Sequence, residues 1–122
     1  MPPTYGMGLT TKYLYEASLI RVVNGDTIDA WVDLGFDIAV RRRIRLWAIV
    51  APDMRTEDLL EYSEGACARD RLQELIDIGE GKFLLRSVRI NKCGQCLGEI
   101  YIQDININKQ LLAEGLVGIR DI

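Results

Sequence analysis

No histidine occurs in the 122 residues of this chain, so no imidazole can act as a general base or a metal ligand. Ser-His-Asp, Cys-His and histidine-zinc chemistries are excluded. Cysteine is scarce as well: the three present make no disulfide framework, and cytosolic thiols are normally kept reduced. No apolar run approaches the roughly 20 residues a membrane span needs. The start, MPPTYGMGLTTKY, has neither a basic stretch nor the apolar core of a leader, so a cytoplasmic protein with no membrane partner is expected. Positive charge is in slight deficit, 15 Lys plus Arg against 18 Asp plus Glu for a net −3. The surface as a whole therefore does not grip phosphate backbones, and any such binding must be local. What is present is a 48% hydrophobic, 27% charged composition, enough for one domain to bury a core without disulfide or metal staples.

Residues 1–13 carry no periodicity and read as an irregular arm, leaving 14–122 as a single domain. Apolar and β-branched residues cluster over 14–23, Asn24-Gly25-Asp26 supplies turn chemistry, and alternation resumes through Ile28, Ala30, Val32 and Leu34, the pattern of a hairpin. After a second turn at Gly35-Phe36-Asp37, a third strand is expected over 39–50. Val40, Ile44, Leu46 and Ala48 would share one face, and Arg41, Arg43 and Arg45 the other. Arg42 interrupts the apolar face and marks a bulge or an edge position. Residues 51–62 read as a charged loop. Ser63 is the expected N-cap of an amphipathic helix through Ala68, Leu72, Leu75 and Ile76, stopped by Gly79 and Gly81. Strands are expected over 82–90 and 97–103, joined by a polar turn at 91–96. A short helix over 109–114 is expected to be capped by Asn108 and ended by Gly115. The order βββ-α-ββ-α is that of a five-stranded OB-fold barrel, mainly β with α.

Three charged residues stand where packing does not ask for them: Asp26 in the first turn, Arg45 on the third strand, and Asp53 in the loop after it. Singly, each reads as a turn carboxylate or a solvated charge. The runs IRVVNGDTI at 20–28, RIRLWAIVAPD at 43–53 and INKQLLAEGL at 107–116, in this order, resemble the staphylococcal nuclease (thermonuclease-like) family, including the small nucleases of phage genomes. The resemblance implies an OB barrel with helices and a calcium-assisted phosphodiester hydrolase acting on DNA or RNA. By position, Asp26 matches a metal carboxylate, Ala51 a residue that ligates through its backbone carbonyl, and Arg45 the first phosphate-binding arginine. Asp53 stands in place of the family's catalytic glutamate, one methylene shorter.

Departures from that pattern bear on activity. Val50 occupies the place of a second metal carboxylate and cannot ligate Ca2+, and Gln95 occupies that of the second arginine. Lys92 could contribute a point charge beside Gln95 but lacks the guanidinium fork. Asp33, Asp37, Glu57, Asp58 and Glu61 are candidate replacement carboxylates. With a cation and a ligand missing, weak or absent hydrolysis is expected. The alternative is an inactive OB module that binds nucleic acid, single-stranded as one option, or a protein. The run Arg41-Arg42-Arg43 with Arg45 reads either as a charged strand face that deters edge pairing or as a phosphate-tracking patch, with Trp31, Trp47 or Tyr101 available for base stacking. Cys93 and Cys96 have the spacing of a metal or redox pair but lack further ligands. A chance pair in a turn, a reversible disulfide and a metal shared between chains all remain open.

Overall fold

The computed structural model describes residues 13–120, together with the backbone of two short strands before them, β1 (Thr4–Tyr5) and β2 (Leu9–Thr10), which pair antiparallel. The expected irregular arm otherwise lies outside the described residues. Three long strands follow, β3 (Leu14–Asn24), β4 (Thr27–Gly35) and β5 (Ile38–Leu46), then β6 (Ile49–Val50) and helix α1 (Leu59–Ile78). The chain continues through β7 (Lys82–Ile90), β8 (Cys96–Ile102), β9 (Ile105–Asn106), helix α2 (Ile107–Ala113) and β10 (Gly118–Ile119). The main sheet runs β5-β4-β3-β7-β8-β9, and a parallel pairing of β5 with β8 closes its five long strands into a barrel. The expected OB-type order is therefore observed, with closure added. No helix among the described residues is long and apolar enough to cross a membrane.

The closing seam is short: Ile44, Arg45 and Leu46 face Cys96, Leu97 and Gly98. A buried side chain reinforces it. The Asn108 amide donates to the carbonyls of Trp47 (3.0 Å) and Gly98 (3.1 Å), and its Oδ1 accepts from the Ile100 amide (3.2 Å). Asn108 is thus not the N-cap of α2. Asn106 takes that role, accepting from the Lys109 amide at 3.1 Å, while Gly115 does adopt the left-handed φ of +74° expected of a helix stop. The core is filled from the strands by Ile28, Ile44, Leu46, Leu85 and Ile100, and from the helices by Leu72, Ile76, Ile107 and Leu111, all almost wholly buried.

Two further expectations are corrected. The third strand does not run unbroken to residue 50: it ends at Leu46, Ala48 turns with φ +69°, and Ile49 and Val50 leave the barrel to pair with Ile119 and Gly118. No composition cue marks that exit, because alanine is an unfavourable residue for a left-handed turn. Helix α1 begins before Ser63, capped by Asp58, whose carboxylate accepts from the amides of Leu60 (3.0 Å) and Glu61 (3.4 Å). Its first turn exposes Leu59, Leu60 and Tyr62, so the apolar periodicity that reveals the rest of the helix is absent there. Arg42 sits in regular register opposite Ala30, on the stretch of β5 before the seam where β4 is its only ladder neighbour among the described residues, which resolves the bulge-or-edge alternative as an edge.

Candidate functional site

Asp26 lies at the β3–β4 turn, which is packed tightly beneath α1: a Cβ on Gly25 would stand 2.6 Å from the Ala68 Cβ and 2.9 Å from that of Ala51. The turn is fixed locally as well, since the Asp26 amide donates to Asn24 Oδ1 at 3.0 Å. Only 6% of Asp26 is exposed, and both carboxylate oxygens are engaged. Oδ1 accepts from the Thr27 hydroxyl at 2.8 Å, and Oδ2 from the Ala51 amide at 2.8 Å. Arg45 approaches Oδ2 through Nη2 at 3.6 Å. Cross-strand register accounts for the meeting, because Arg45 pairs with Thr27 on the adjacent strand. Asp26, Arg45 and Ala51 are therefore brought together.

Asp53 makes a different set of contacts. It is exposed and accepts from the Arg55 amide at 2.8 Å, with the Arg55 guanidinium at 3.5 Å; the amide hydrogen bond holds its carboxyl below the usual range. Val50 sits on β6 and, with Ala51, Glu64 and Cys67, lines a cavity of about 600 Å³ between the β6–β10 ladder and α1. The Gln95 side-chain oxygen accepts from the Asn91 amide group at 3.0 Å within the same turn, while Asn91 Oδ1 accepts from the backbone amides of Cys93 and Gln95. Lys92 is exposed on that turn. Asp58 caps α1, and Asp33 and Asp37 line a cavity toward the opposite ends of β4 and β5. Cys67, Cys93 and Cys96 are all free thiols, with Cys96 buried in the core.

Calcium prefers six to eight oxygen ligands, and the residues around Asp26 do not fit it. Both Asp26 oxygens are already hydrogen-bonded, the third contact is a guanidinium, Val50 is apolar, and Asp53 faces Arg55. Among the described residues no three acidic, cysteine or histidine side chains gather as a metal cluster.

Anion chemistry fits better. Arg45 lines a groove of about 200 Å³ with Trp47, Ala48, Asn91 and Leu97, and two arginines that sequence inspection did not single out, Arg89 and Arg120, line it too. Among the described residues none that lines it is acidic. Arg45 Nε and Trp47 Nε1 are buried without a hydrogen-bond partner among the described residues. Arg89 comes from the end of β7, and Arg120 is delivered by the β6–β10 ladder, its amide donating to the Ala48 carbonyl at 2.8 Å. Neither arginine lies near Arg45 in sequence, and the ladder that delivers Arg120 has no periodic signature.

Along the outer face of β5, Arg41 and Arg43 precede Arg45 at steps of about 6.8 Å, two residues of extended chain. Arg43, Arg21 and Arg41 surround the buried Asp29: Arg43 Nε at 2.9 Å, Arg21 Nε at 3.0 Å and Arg41 at 3.9 Å. Three guanidiniums against one carboxylate leave this face positive. Trp31, 48% exposed, pairs across the ladder with Arg41, whereas Trp47 and Tyr101 are only partly exposed.

A family model described as a staphylococcal nuclease homologue matches residues 43–120. The match spans Arg45, Asp53, Arg89 and Arg120 and begins after Asp26. No curated protein matches the chain.

Proposed function

Since the chain belongs to the staphylococcal nuclease homologues, whose fold generally binds nucleic acid, we propose that it holds the phosphodiester backbone of single-stranded nucleic acid at Arg45, and that binding rather than cleavage is what this site performs. The observation that carries the reading is the guanidinium of Arg45, placed against Asp26 at 3.6 Å at the rim of a groove that no acidic side chain lines among the described residues. A planar guanidinium pairs with two phosphate oxygens. The Arg41–Arg43 row and the exposed Trp31 extend the same face with charges for further phosphates and a ring for a base, the two elements of single-strand binding. Double helices are served less well, because an indole can stack only on a base that is free of its partner.

Hydrolysis needs a positioned base and charge stabilisation at the reacting phosphate. Here the acid nearest Arg45 has both oxygens engaged, and Asp53 is turned to Arg55. Within this geometry Asp26 acts as a positioning residue, orienting Arg45 and tying the Ala51 backbone to the β3–β4 turn.

Fluorescence anisotropy of labelled single-stranded DNA and RNA across a salt series, with chelator present, tests the reading. Binding that weakens steeply with salt, survives the chelator and is lost in Arg45→Ala is expected. Salt-insensitive binding, or none, overturns it. So does calcium-dependent strand cleavage that disappears in both Arg45→Ala and Asp26→Ala, which would restore the hydrolytic reading.

A further inference from the structure

Resting on that reading of the Arg45 groove, we infer that Arg89 and Arg120 supply the second cationic contact to the bound phosphate, which position 95 has lost. Gln95 brings no charge, and its side-chain oxygen accepts from the Asn91 amide group. Arg89 and Arg120 are exposed, line the groove with Arg45, and make no ion pair among the described residues. Among the described residues the three guanidiniums stand against the one carboxylate of Asp26, a local excess of positive charge in a chain whose net charge is −3.

Size identifies the ligand group. At about 200 Å³ the groove falls below the roughly 300–1,000 Å³ of pockets that enclose a drug-sized molecule. It admits a phosphate and leaves the attached sugars and bases outside, on the β5 face. The buried, unpartnered Arg45 Nε and Trp47 Nε1 point the same way. Orphaned buried donors are costly, and an anion drawn into the groove gives both side chains reason to re-aim toward an acceptor. Arginines from β5, from the end of β7 and from the segment after β10 would then grip one phosphate from three sides.

The experiment compares Arg89→Gln, Arg120→Gln and the double variant with wild type, using a fluorescein-labelled thymidine oligomer at several salt concentrations. Arg69→Gln, on α1 and paired with Asp70, controls for the change in net charge. Each groove variant is expected to lose about tenfold in affinity and to flatten the salt dependence by about 0.7 per contact removed, with unchanged thermal melting. Affinity and slope matching those of Arg69→Gln, while Arg45→Ala still abolishes binding, would overturn the inference and leave the proposed function standing. If wild type binds no oligomer, or binds it independently of Arg45, the proposed function fails and the inference falls with it. A melting shift in either Gln variant is resolved by Arg89→Lys or Arg120→Lys: partial recovery of affinity supports the contact, and none overturns it.

Discussion

At the scale of single residues, two buried polar side chains carry burdens that their positions in the sequence did not announce. Asp29 is 3% exposed and its carboxyl is lowered from 3.8 to about 2, chiefly by the Arg43 hydrogen bonds, with burial opposing and Arg21 adding to the effect. Because the folded value lies below the unfolded one, the stabilisation is complete above pH about 4 and is lost as pH falls toward 2. Asp29→Asn should therefore cost about 1–2 kcal/mol at neutral pH, discounted because the guanidiniums are half exposed. Urea unfolding should show the gap from wild type closing between pH 4 and 2. Asn108 is the second case. Asn108→Ala strips partners from the Trp47 and Gly98 carbonyls and the Ile100 amide, and a loss of about 2–4 kcal/mol is expected in the same assay. An asparagine just before a helical run is legible as a cap. That Asn106 would take the cap and Asn108 turn inward depends on the neighbouring β8 backbone, which no local pattern encodes.

At the scale of elements, strands and helices were legible wherever burial imposes a period. Strands β3, β4 and β7 fall where alternation and turn residues place them, and the apolar face of α1 follows from Ala68, Leu72, Leu75 and Ile76. The first turn of α1, exposed on its apolar residues, was not legible, and its cap separates the two accounts. Asp58→Ala should destabilise by about 0.5–2 kcal/mol, whereas Ser63→Ala, inside an established helix, should leave the melting temperature nearly unchanged; thermal denaturation of the pair distinguishes them. The β3–β4 turn gives a sharper case. Gly25→Ala drives a methyl group into Ala68 and Ala51 and should cost about 1–3 kcal/mol. It should also shift the Asp26 and Ala51 amide resonances, because the turn and the segment after β6 share that contact.

At the scale of the whole molecule, the barrel order could be read from the chain but its closure could not, since three residue pairs between distant strands leave no compositional trace. The site divides in the same way. Asp26 and Arg45 were legible because motif positions preserve them and strand register then brings them together, whereas Arg89 and Arg120 enter the groove only through a β7 end and a terminal ladder. Asp53 shows the converse: a motif position filled by a carboxylate that the local backbone turns toward Arg55. Hydrogen exchange should find the Trp47 amide, bonded to Gly98 across the seam, and the Leu46 amide, bonded to Asp26 on the β4 side, among the slowest in wild type, with Trp47 clearly faster in Asn108→Ala. Arg45 and Leu97 face each other across this seam and both border the groove, so an occupant there also spans the joint that closes the cylinder. Ligand would act as a clasp in time as well as in affinity. Stopped-flow unfolding in rising phosphate concentration should slow progressively for wild type, and much less once Arg45 is removed.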